Sequence, residues 1–236
     1  GLVIIPGFAL DLTTNDEDRQ PWNFNDPKKR DGSERPLDDQ KPILLIGSPM
    51  CTAFSNIQHL NKARRDPEVV RQEVEKARVH LRWCCYLYSK QIARDAYFLH
   101  EHPAFATSWK EPCVLSLLAM RGVGRVRADQ CQLGQCDDKG NPVMKPTGFM
   151  SNSPLLLRAL NRRCFGKGGL CSRSRGGTHA ECLGKKTQRA AIFQDELCVT
   201  ILRGMRQQLR EDNRIADGVE GTNVIMSSAD DEVSRY

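Results

Sequence analysis

The chain has 236 residues, of which 39% are hydrophobic and 6% aromatic, enough for the core of one domain of ordinary size. No apolar run approaches the roughly 20 residues of a membrane-spanning helix, so the sequence predicts no transmembrane segment. Its ten cysteines are not spaced like those of a small secreted scaffold, which favours an intracellular location, nuclear or cytoplasmic, with reduced thiols.

The net charge of +6 is unevenly distributed along the chain. Residues 158–189 contain nine Lys or Arg and one acid, whereas the chain after Arg210 contains seven acids and two arginines. A basic segment of this kind fits a polyanion such as nucleic acid, and it fits a solvated Arg-rich loop equally well.

Composition divides the chain into three parts. Residues 1–40 are predicted to be one N-terminal strand followed by a polar connection. Residues 41–210 are predicted to form an α/β domain that contains an Arg- and Cys-rich insert at residues 161–188. Residues 211–236 are predicted to be a disordered acidic tail.

A strand–helix–strand unit is predicted at the start of the α/β domain. Residues 43–46 are a short apolar run, typical of a strand buried on both faces. Residues 67–92 carry apolar side chains at steps of three and four, which predicts an amphipathic helix capped by Asp66. Residues 97–99 form the next strand, parallel to the first. Further helices are predicted over 112–120, 153–163 and 190–210, and further strands over 123–130 and 143–151.

Two reactive side chains follow the two predicted parallel strands. Cys51 comes after the first strand in GSPMCTAFS, and Glu101 comes after the second in HEHP. Open α/β sheets build their sites at the carboxyl ends of parallel strands, so these residues are candidates for a nucleophile and a partner carboxylate. A helix predicted to begin at Ala53 would leave the thiol partly ionised near neutral pH. The alternatives are a structural buried cysteine and a capping or ion-paired carboxylate.

His100 and His102 flank Glu101 and, in strand geometry, point to the opposite side. They are therefore predicted to shape the site rather than to act in it. A Cys–His hydrolase that uses Cys51 with one of them is a further option, although no Asn or Asp that would orient the histidine is identifiable.

Metal-binding side chains are concentrated in the insert. Cys164, Cys171, His179 and Cys182 have the spacing C-x6-C-x7-H-x2-C, which supplies four ligands for tetrahedral zinc. No CxxC pair is present, so the pattern equally fits unligated loop cysteines. Other thiols that could replace one of these ligands are Cys131 and Cys136.

The strings around the reactive side chains resemble those of cytosine-5 DNA methyltransferases. In that family a Pro-Cys dipeptide, usually followed by Gln and then by Phe-Ser, carries the nucleophile, and a Glu-Asn-Val or Glu-Asn-Pro string carries a partner carboxylate. In this chain the corresponding strings are PMCTAFS and EHP, in which Met50 and His102 replace the family's Pro and Asn. The order DLTT, SPMCTAFS, LHEHPAFATSW and KPTGFMSN also resembles methylase-like segments in retrotransposon polyproteins of single-celled algae, over roughly residues 9–205.

The resemblance implies a Rossmann-like, methyltransferase-type α/β fold with a mostly parallel sheet that is incomplete at its N-terminus. It also implies that the Cys51 thiolate adds to carbon 6 of a flipped-out cytosine while Glu101 hydrogen-bonds N3 of the ring. The expected partners are DNA or RNA and the rest of a polyprotein, and no membrane. Nucleic-acid contacts are expected at Ser48, Pro49, Ser55, Lys145 and Thr147, and at Arg173 and Arg175 of the basic segment.

S-adenosylmethionine is the methyl donor that the resemblance implies. The family's Phe-x-Gly-x-Gly cofactor string does not occur in these residues, and Asp11 in LDLTT is the one candidate for holding an adenosine hydroxyl. Two interpretations stay open, a cofactor half upstream in a longer polyprotein and a relic without one. The competing function is a non-catalytic nucleic-acid-binding module of a retroelement.

Overall fold

The computed structural model describes residues 5, 7–11, 13–55, 65–181 and 192–215. In this part of the chain, no helix combines the length and the apolar character needed to cross a lipid bilayer. The nine cysteines that it contains are all free thiols.

The strands of the described residues form one open sheet in the order β1-β2-β4-β3. β1 and β2 pair in parallel, whereas β4 pairs antiparallel with both β2 and β3. β1, β2 and β3 therefore run in one direction, and β4 alone runs in the other. The strands are β1 (Leu44–Gly47), β2 (Tyr97–Pro103), β3 (Gly124–Asp129) and β4 (Pro146–Ser151).

The expectation of a mostly parallel sheet is wrong for the pairing of these strands. The reversed β4 lies between β2 and β3, so two of the three strand pairs are antiparallel. The coarser prediction of an α/β fold is confirmed, and so is the parallel strand–helix–strand unit with which it opens.

Helices cover both faces of the sheet. The helix between the parallel strands starts at the predicted cap, where the Asp66 carboxylate accepts a hydrogen bond from the Glu68 amide at 2.8 Å. The later elements agree with the predicted ones to within a few residues. The helices are α1 (Pro27–Gln40), α2 (Pro67–Ala93), α3 (Pro112–Leu118), α4 (Pro154–Leu160) and α5 (Asp195–Glu211).

Helix α1 lies in the segment predicted to be a polar connection. Asp26 caps it by accepting a hydrogen bond from the Lys28 amide at 2.9 Å, and Pro27 occupies its first turn. Polar contacts join α1 to α2, among them an ion pair of 2.6 Å between Lys90 and Glu34. The predicted N-terminal strand falls partly outside the described residues and stays a prediction, while the described residues before β1 form one isolated bridge, Asn15 with Pro21.

Two apolar cores hold the layers together. On one face of the sheet, Leu99 and Phe149 pack with side chains of α4 and α5. On the other face, Phe98 and Met150 pack with side chains of α2 and α3. Successive residues of β2 and β4 thus alternate between the two cores, and this alternation decides where the polar residues at the end of β2 point.

Candidate functional site

The carboxyl ends of β1 and β2 bring Cys51 and Glu101 together. The last residue of β1, Gly47, is in register with His100 of β2, so the turn that leads to Cys51 begins beside Glu101. Glu101 itself lies within β2, where it pairs with Phe149 of β4, and not after the strand as predicted. Glu101 is 7% exposed, and Cys51 is half-buried. The charge of Glu101 acts on the Cys51 thiol, as described below, so the two groups lie within electrostatic range.

Lys145 is the third charged or reactive group at this edge. Its Nζ lies 3.7 Å from Oε1 of Glu101, which makes an ion pair but is too long for a hydrogen bond. Burial raises the pKa of Glu101, while the Lys145 charge and the Ser48 hydroxyl oppose part of this rise. Among the described residues, Oε1 of Glu101 has no hydrogen-bond partner. A buried carboxyl oxygen without a donor is costly, and a buried carboxyl group whose pKa is perturbed is a candidate for a functional site.

The Cys51 thiol is shifted towards its protonated form. Burial raises the pKa of Cys51, the Glu101 carboxylate raises it further, and the Lys145 charge opposes this in part. The helix predicted at Ala53 is a single 3-10 turn, Thr52–Phe54, whose dipole is small. The expectation of a partly ionised thiol near neutral pH is therefore wrong for this structure.

Substitutions at Glu101 and Lys145 are expected to change the reactivity of Cys51 in opposite directions. Glu101→Gln removes a charge that raises the thiol pKa, so iodoacetamide should alkylate Cys51 several-fold faster at neutral pH. Lys145→Met removes a charge that lowers this pKa and should slow the alkylation. Mass spectrometry of the Cys51 peptide over a pH series measures both profiles, with the exposed Cys198 as internal control. A shift in the same direction for both variants would contradict this electrostatic arrangement.

His102 fixes the turn that precedes Cys51. Its Nε2 donates to the carbonyl oxygen of Pro49 at 3.1 Å, and its Nδ1 accepts from the Ser108 hydroxyl at 2.6 Å. Burial lowers the pKa of His102 to about 4, so the ring is neutral at physiological pH. With both ring nitrogens engaged, His102 cannot take a proton from Cys51. In the sequence, the one sign of this positioning role is that His102 replaces the family's Asn in the EHP string.

His100 lies on the same face of β2 as His102, away from Glu101, as predicted. Its Nδ1 is 3.1 Å from the hydroxyl oxygen of Tyr88, and burial lowers the pKa of His100 well below its ordinary value. Neither histidine is therefore placed to serve as the base for Cys51, which argues against a Cys–His hydrolase.

The predicted nucleic-acid contacts lie in different surroundings. Ser48 and Pro49 form the turn before Cys51, with Ser48 exposed and Pro49 buried, and Ser55 closes the 3-10 turn after it. Together with Lys145, whose side chain is 23% exposed, they belong to the Cys51 edge.

Thr147 lies inside the protein. Its side chain is fully buried, accepts a hydrogen bond from Gln130 Nε2 at 2.9 Å and donates to the carbonyl oxygen of Lys145 at 3.2 Å. The expectation that Thr147 contacts nucleic acid is therefore wrong for this structure. Its role is to hold the backbone that carries Lys145.

The two arginines of the insert differ in their contacts. Arg173 donates to the carbonyl oxygens of Gly176 at 2.7 Å and Gly140 at 2.8 Å, so its guanidinium joins two loops. Arg175 has an exposed side chain. Of this pair, Arg175 is the better placed to meet a phosphate.

Asp11 does not fit a site for S-adenosylmethionine. Its Oδ1 accepts from the amide and from the hydroxyl of Thr13, at 2.5 and 2.6 Å, which makes a local turn and lowers the pKa of Asp11. No strand ends at this residue, and the carboxylate is exposed. The expectation for Asp11 is wrong, and no other described residues at the Cys51 edge form a Gly-rich cofactor loop.

A second cluster of reactive side chains joins the insert to the turn after β3. The ligand atoms of Cys131, Cys164, Cys171 and His179 all lie within 4.8 Å of one another, so the cluster could bind a metal ion. Three of its members are predicted ligands, and Cys131 is one of the predicted alternatives. The remaining predicted ligand, Cys182, lies outside the described residues.

A basic groove of about 910 Å³ runs between α4 and α5. Its charged lining has four arginines and one acid, Glu211, and two of the arginines come from α5 rather than from the segment at 158–189. The arginines are Arg158, Arg162, Arg203 and Arg210. The sequence signal for the α5 pair is the seven-residue spacing, which places both on one helix face.

Comparisons with known proteins assign no function to these sites. No protein-family model matches the chain, and no curated protein or solved structure is similar to it at a significant level.

Proposed function

We propose that this chain is a retroelement-derived, cytosine-5 DNA methyltransferase-like domain whose Cys51 thiol adds to carbon 6 of a cytosine. One observation carries the proposal, the meeting of Cys51, Glu101 and Lys145 at the carboxyl edge of a parallel strand pair. A nucleophile, a carboxyl group with an unsatisfied oxygen and a cation are the groups that such an addition needs.

The opening strand–helix–strand unit supports a Rossmann-like, methyltransferase-type ancestry. β1 and β2 pair in parallel with α2 between them, and Cys51 follows the carboxyl end of β1. In this proposal, the four described strands are the half of the sheet that carries the base-binding residues.

The chemistry of addition balances with groups at this edge. The Cys51 thiolate forms a bond to carbon 6, the electron pair of the C5=C6 bond moves to C4–C5, and the pair of the C4=N3 bond moves to N3. The raised pKa of Glu101 increases the fraction of its carboxyl group that is protonated, and this form donates its proton to N3. Lys145 then offsets the charge of the carboxylate. The cytosine must leave the helical stack to be reached, at a cost of roughly a few kcal/mol.

Carbon 5 of the resulting enamine is nucleophilic and takes a proton from water. Water then takes the original C5 hydrogen as a proton, N3 returns its proton to the Glu101 carboxylate, and the Cys51 thiolate departs, which restores the cytosine with its C5 hydrogen exchanged. This exchange requires no methyl donor. Since the described residues do not fit S-adenosylmethionine, the proposed reaction is this reversible addition with its hydrogen exchange, and it includes no methyl transfer.

Hydrogen exchange at carbon 5 tests the proposal directly. The protein is incubated with a single-stranded oligonucleotide whose cytosines carry deuterium at C5, and mass spectrometry follows the loss of deuterium. We expect the wild-type rate to rise with pH as Cys51 ionises, and we expect no exchange with Cys51→Ser. Glu101→Gln should slow the exchange by roughly 10²-fold or more, the range of general acid catalysis.

Cys136→Ser is the matched control, because Cys136 is a free thiol outside the groups named in the mechanism. It should retain the wild-type exchange rate. A wild-type protein that exchanges no deuterium would remove the enzymatic proposal, and exchange that survives Cys51→Ser would remove the role of Cys51.

A non-catalytic nucleic-acid-binding module is the second candidate function, and the basic groove between α4 and α5 favours it. Four arginines facing one acid give this groove a positive potential that phosphates would complement. Arg158 and Arg203 have exposed side chains, so they can be changed without disturbing the core.

Replacing Arg158 and Arg203 together by Glu is expected to weaken oligonucleotide binding by roughly tenfold and to reduce its dependence on salt. Fluorescence anisotropy at increasing NaCl concentration measures both effects. Arg175→Glu is the comparison variant, because it tests whether the insert binds instead of the groove. Binding that does not depend on salt would contradict this function, whereas binding that survives Cys51→Ala would agree with it.

A further inference from the structure

We propose that Cys131, Cys164, Cys171 and His179 bind one structural zinc ion, which fastens the Arg- and Cys-rich insert to the turn after β3. This inference goes beyond the proposed function, because it uses none of the residues at the Cys51 edge. It assigns Cys131 rather than Cys182 as the fourth ligand.

The measured distances fit the edges of a zinc tetrahedron. With Zn–S bonds of about 2.3 Å and Zn–N bonds of about 2.0–2.1 Å, two sulfurs lie about 3.8 Å apart, and a sulfur and a nitrogen lie about 3.6 Å apart. The Sγ atoms of Cys164 and Cys171 are 3.9 Å apart, and Cys164 Sγ is 3.6 Å from His179 Nε2. A disulfide would require about 2.05 Å.

The chemistry of the four side chains favours zinc over other common ions. Thiolate sulfur and imidazole nitrogen are ligands that calcium and magnesium avoid. Three thiolates and one imidazole also fill all four positions, which is typical of a structural zinc centre rather than a catalytic one.

Hydrogen bonds orient the ligands. The amide of Cys164 donates to Asp129 Oδ2 at 2.9 Å, which holds the start of the insert against the end of β3. The amide of Ser172 donates to Cys164 Sγ at 3.4 Å, and Gln132 Nε2 donates to Cys171 Sγ at 3.5 Å. Donors around a metal site hold its ligands in the binding orientation in this way.

The insert has few other means of holding its shape. Residues 161–181 contain no helix or strand, and their backbone pairing beyond turns and single hydrogen bonds consists of isolated bridges. Cys171 is the one buried residue in this range. Segments too small to bury an apolar core are commonly stabilised by a metal ion, whose binding energy becomes folding energy.

Metal analysis of the full chain, purified with a reductant and without chelators, tests the proposal. We expect inductively coupled plasma mass spectrometry to find about one zinc ion per chain. After Co²⁺ replaces Zn²⁺, the absorption spectrum should have the bands of tetrahedral cobalt–thiolate coordination. Cys164→Ser should lose the zinc, whereas Cys136→Ser, a nearby loop thiol outside the cluster, should keep it. Loss of zinc in Cys131→Ser with retention in Cys182→Ser supports the assigned ligand set, and the reverse result overturns it.

Limited proteolysis of the wild type keeps the test decisive if a ligand variant fails to fold. Removing the metal with a chelator should speed tryptic cleavage within the insert at Lys167 and Arg175, and adding Zn²⁺ should restore the slower rate. A wild-type protein that contains no zinc and gains no protection from added Zn²⁺ would overturn the proposal. These readouts are independent of C5 exchange, so failure of one proposal is distinguishable from failure of the other.

Discussion

Phe149→Ala is expected to lower the free energy of unfolding by about 3–5 kcal/mol, the usual cost of truncating a buried phenylalanine. Phe149 is fully buried in β4, the strand that lies between β2 and β3. Its ring belongs to a core that also contains Leu99, Ala128 and Leu156, which come from β2, β3 and α4. Because these neighbours are fixed by three different elements, they cannot all move to fill the cavity.

Urea unfolding followed by circular dichroism measures this difference. Phe165→Ala is the matched control, because it removes the same side chain from a position that is 79% exposed. The control should change the free energy of unfolding by less than about 0.5 kcal/mol. Equal losses in the two variants would contradict the central position of β4.

Asp129→Asn is expected to lower the free energy of unfolding by about 2–3 kcal/mol at neutral pH, the upper range for hydrogen bonds to a charged group. Asp129 is 2% exposed, and its carboxylate accepts from the Cys164 amide at 2.9 Å, from Arg127 at 3.1 Å and from Arg163 at 3.2 Å. The loss should be smaller than the cost of breaking a fully buried ion pair, which is about 3–5 kcal/mol, because both arginines reach solvent.

The effect of Asp129→Asn should depend on pH. Burial raises the pKa of Asp129, but the Cys164 amide and the two arginines outweigh burial and bring the pKa below its ordinary value of 3.8. A lowered pKa in the folded state adds stability that is complete above the ordinary value and that disappears as the pH falls through the lowered one.

Urea unfolding at neutral pH and in acid separates this contribution from a general loss of packing. The difference between wild type and Asp129→Asn should be large at pH 7 and should shrink below pH 3.8. Asp39→Asn, at an exposed position of α1, is the control and should have little effect at either pH. A difference that stays constant with pH would mean that the charge of Asp129 contributes nothing.

Local signals explain why α2 is predictable and α1 is not. The Asp66 cap and the apolar stripe of α2 lie within one continuous stretch of sequence. In α1, Gly32 and Pro36 interrupt the helical pattern, and its buried residues are only Ser33 and Leu37. An apolar stripe is therefore absent from α1, and its stability comes largely from polar contacts with α2 that no sequence pattern reveals.

The strand order of the sheet and the identity of the metal ligands both depend on the path of the chain in space. Residues 130–145 are long enough to connect β3 and β4 either as a hairpin or as a crossover, so the sequence does not decide the direction of β4. Cys131 likewise lies far upstream of Cys164 and Cys171, and no spacing rule joins them. The β3 turn brings Cys131 to the insert.

The pKa of Cys51 depends on its neighbours in space rather than on the residues beside it in the sequence. The turn GSPMC predicts a presented side chain, and the structure agrees in leaving Cys51 half-buried at the sheet edge. Its pKa, however, is raised by burial and by Glu101, a residue from the next strand. Only the pairing of β1 with β2 brings that charge to the thiol.

The central place of β4 also sets the order in which the sheet can assemble during synthesis. β1 and β2 can pair once α2 and β2 have left the ribosome, but among the described strands β3 pairs with β4 alone. A nascent chain that has emerged only as far as residue 129 therefore holds one unfinished ribbon, β1–β2, and one unpaired strand, β3, and backbone amides and carbonyls of β2 and β3 lack their partners. Translation that pauses before residue 146 would leave these groups open to capture by other chains or by chaperones.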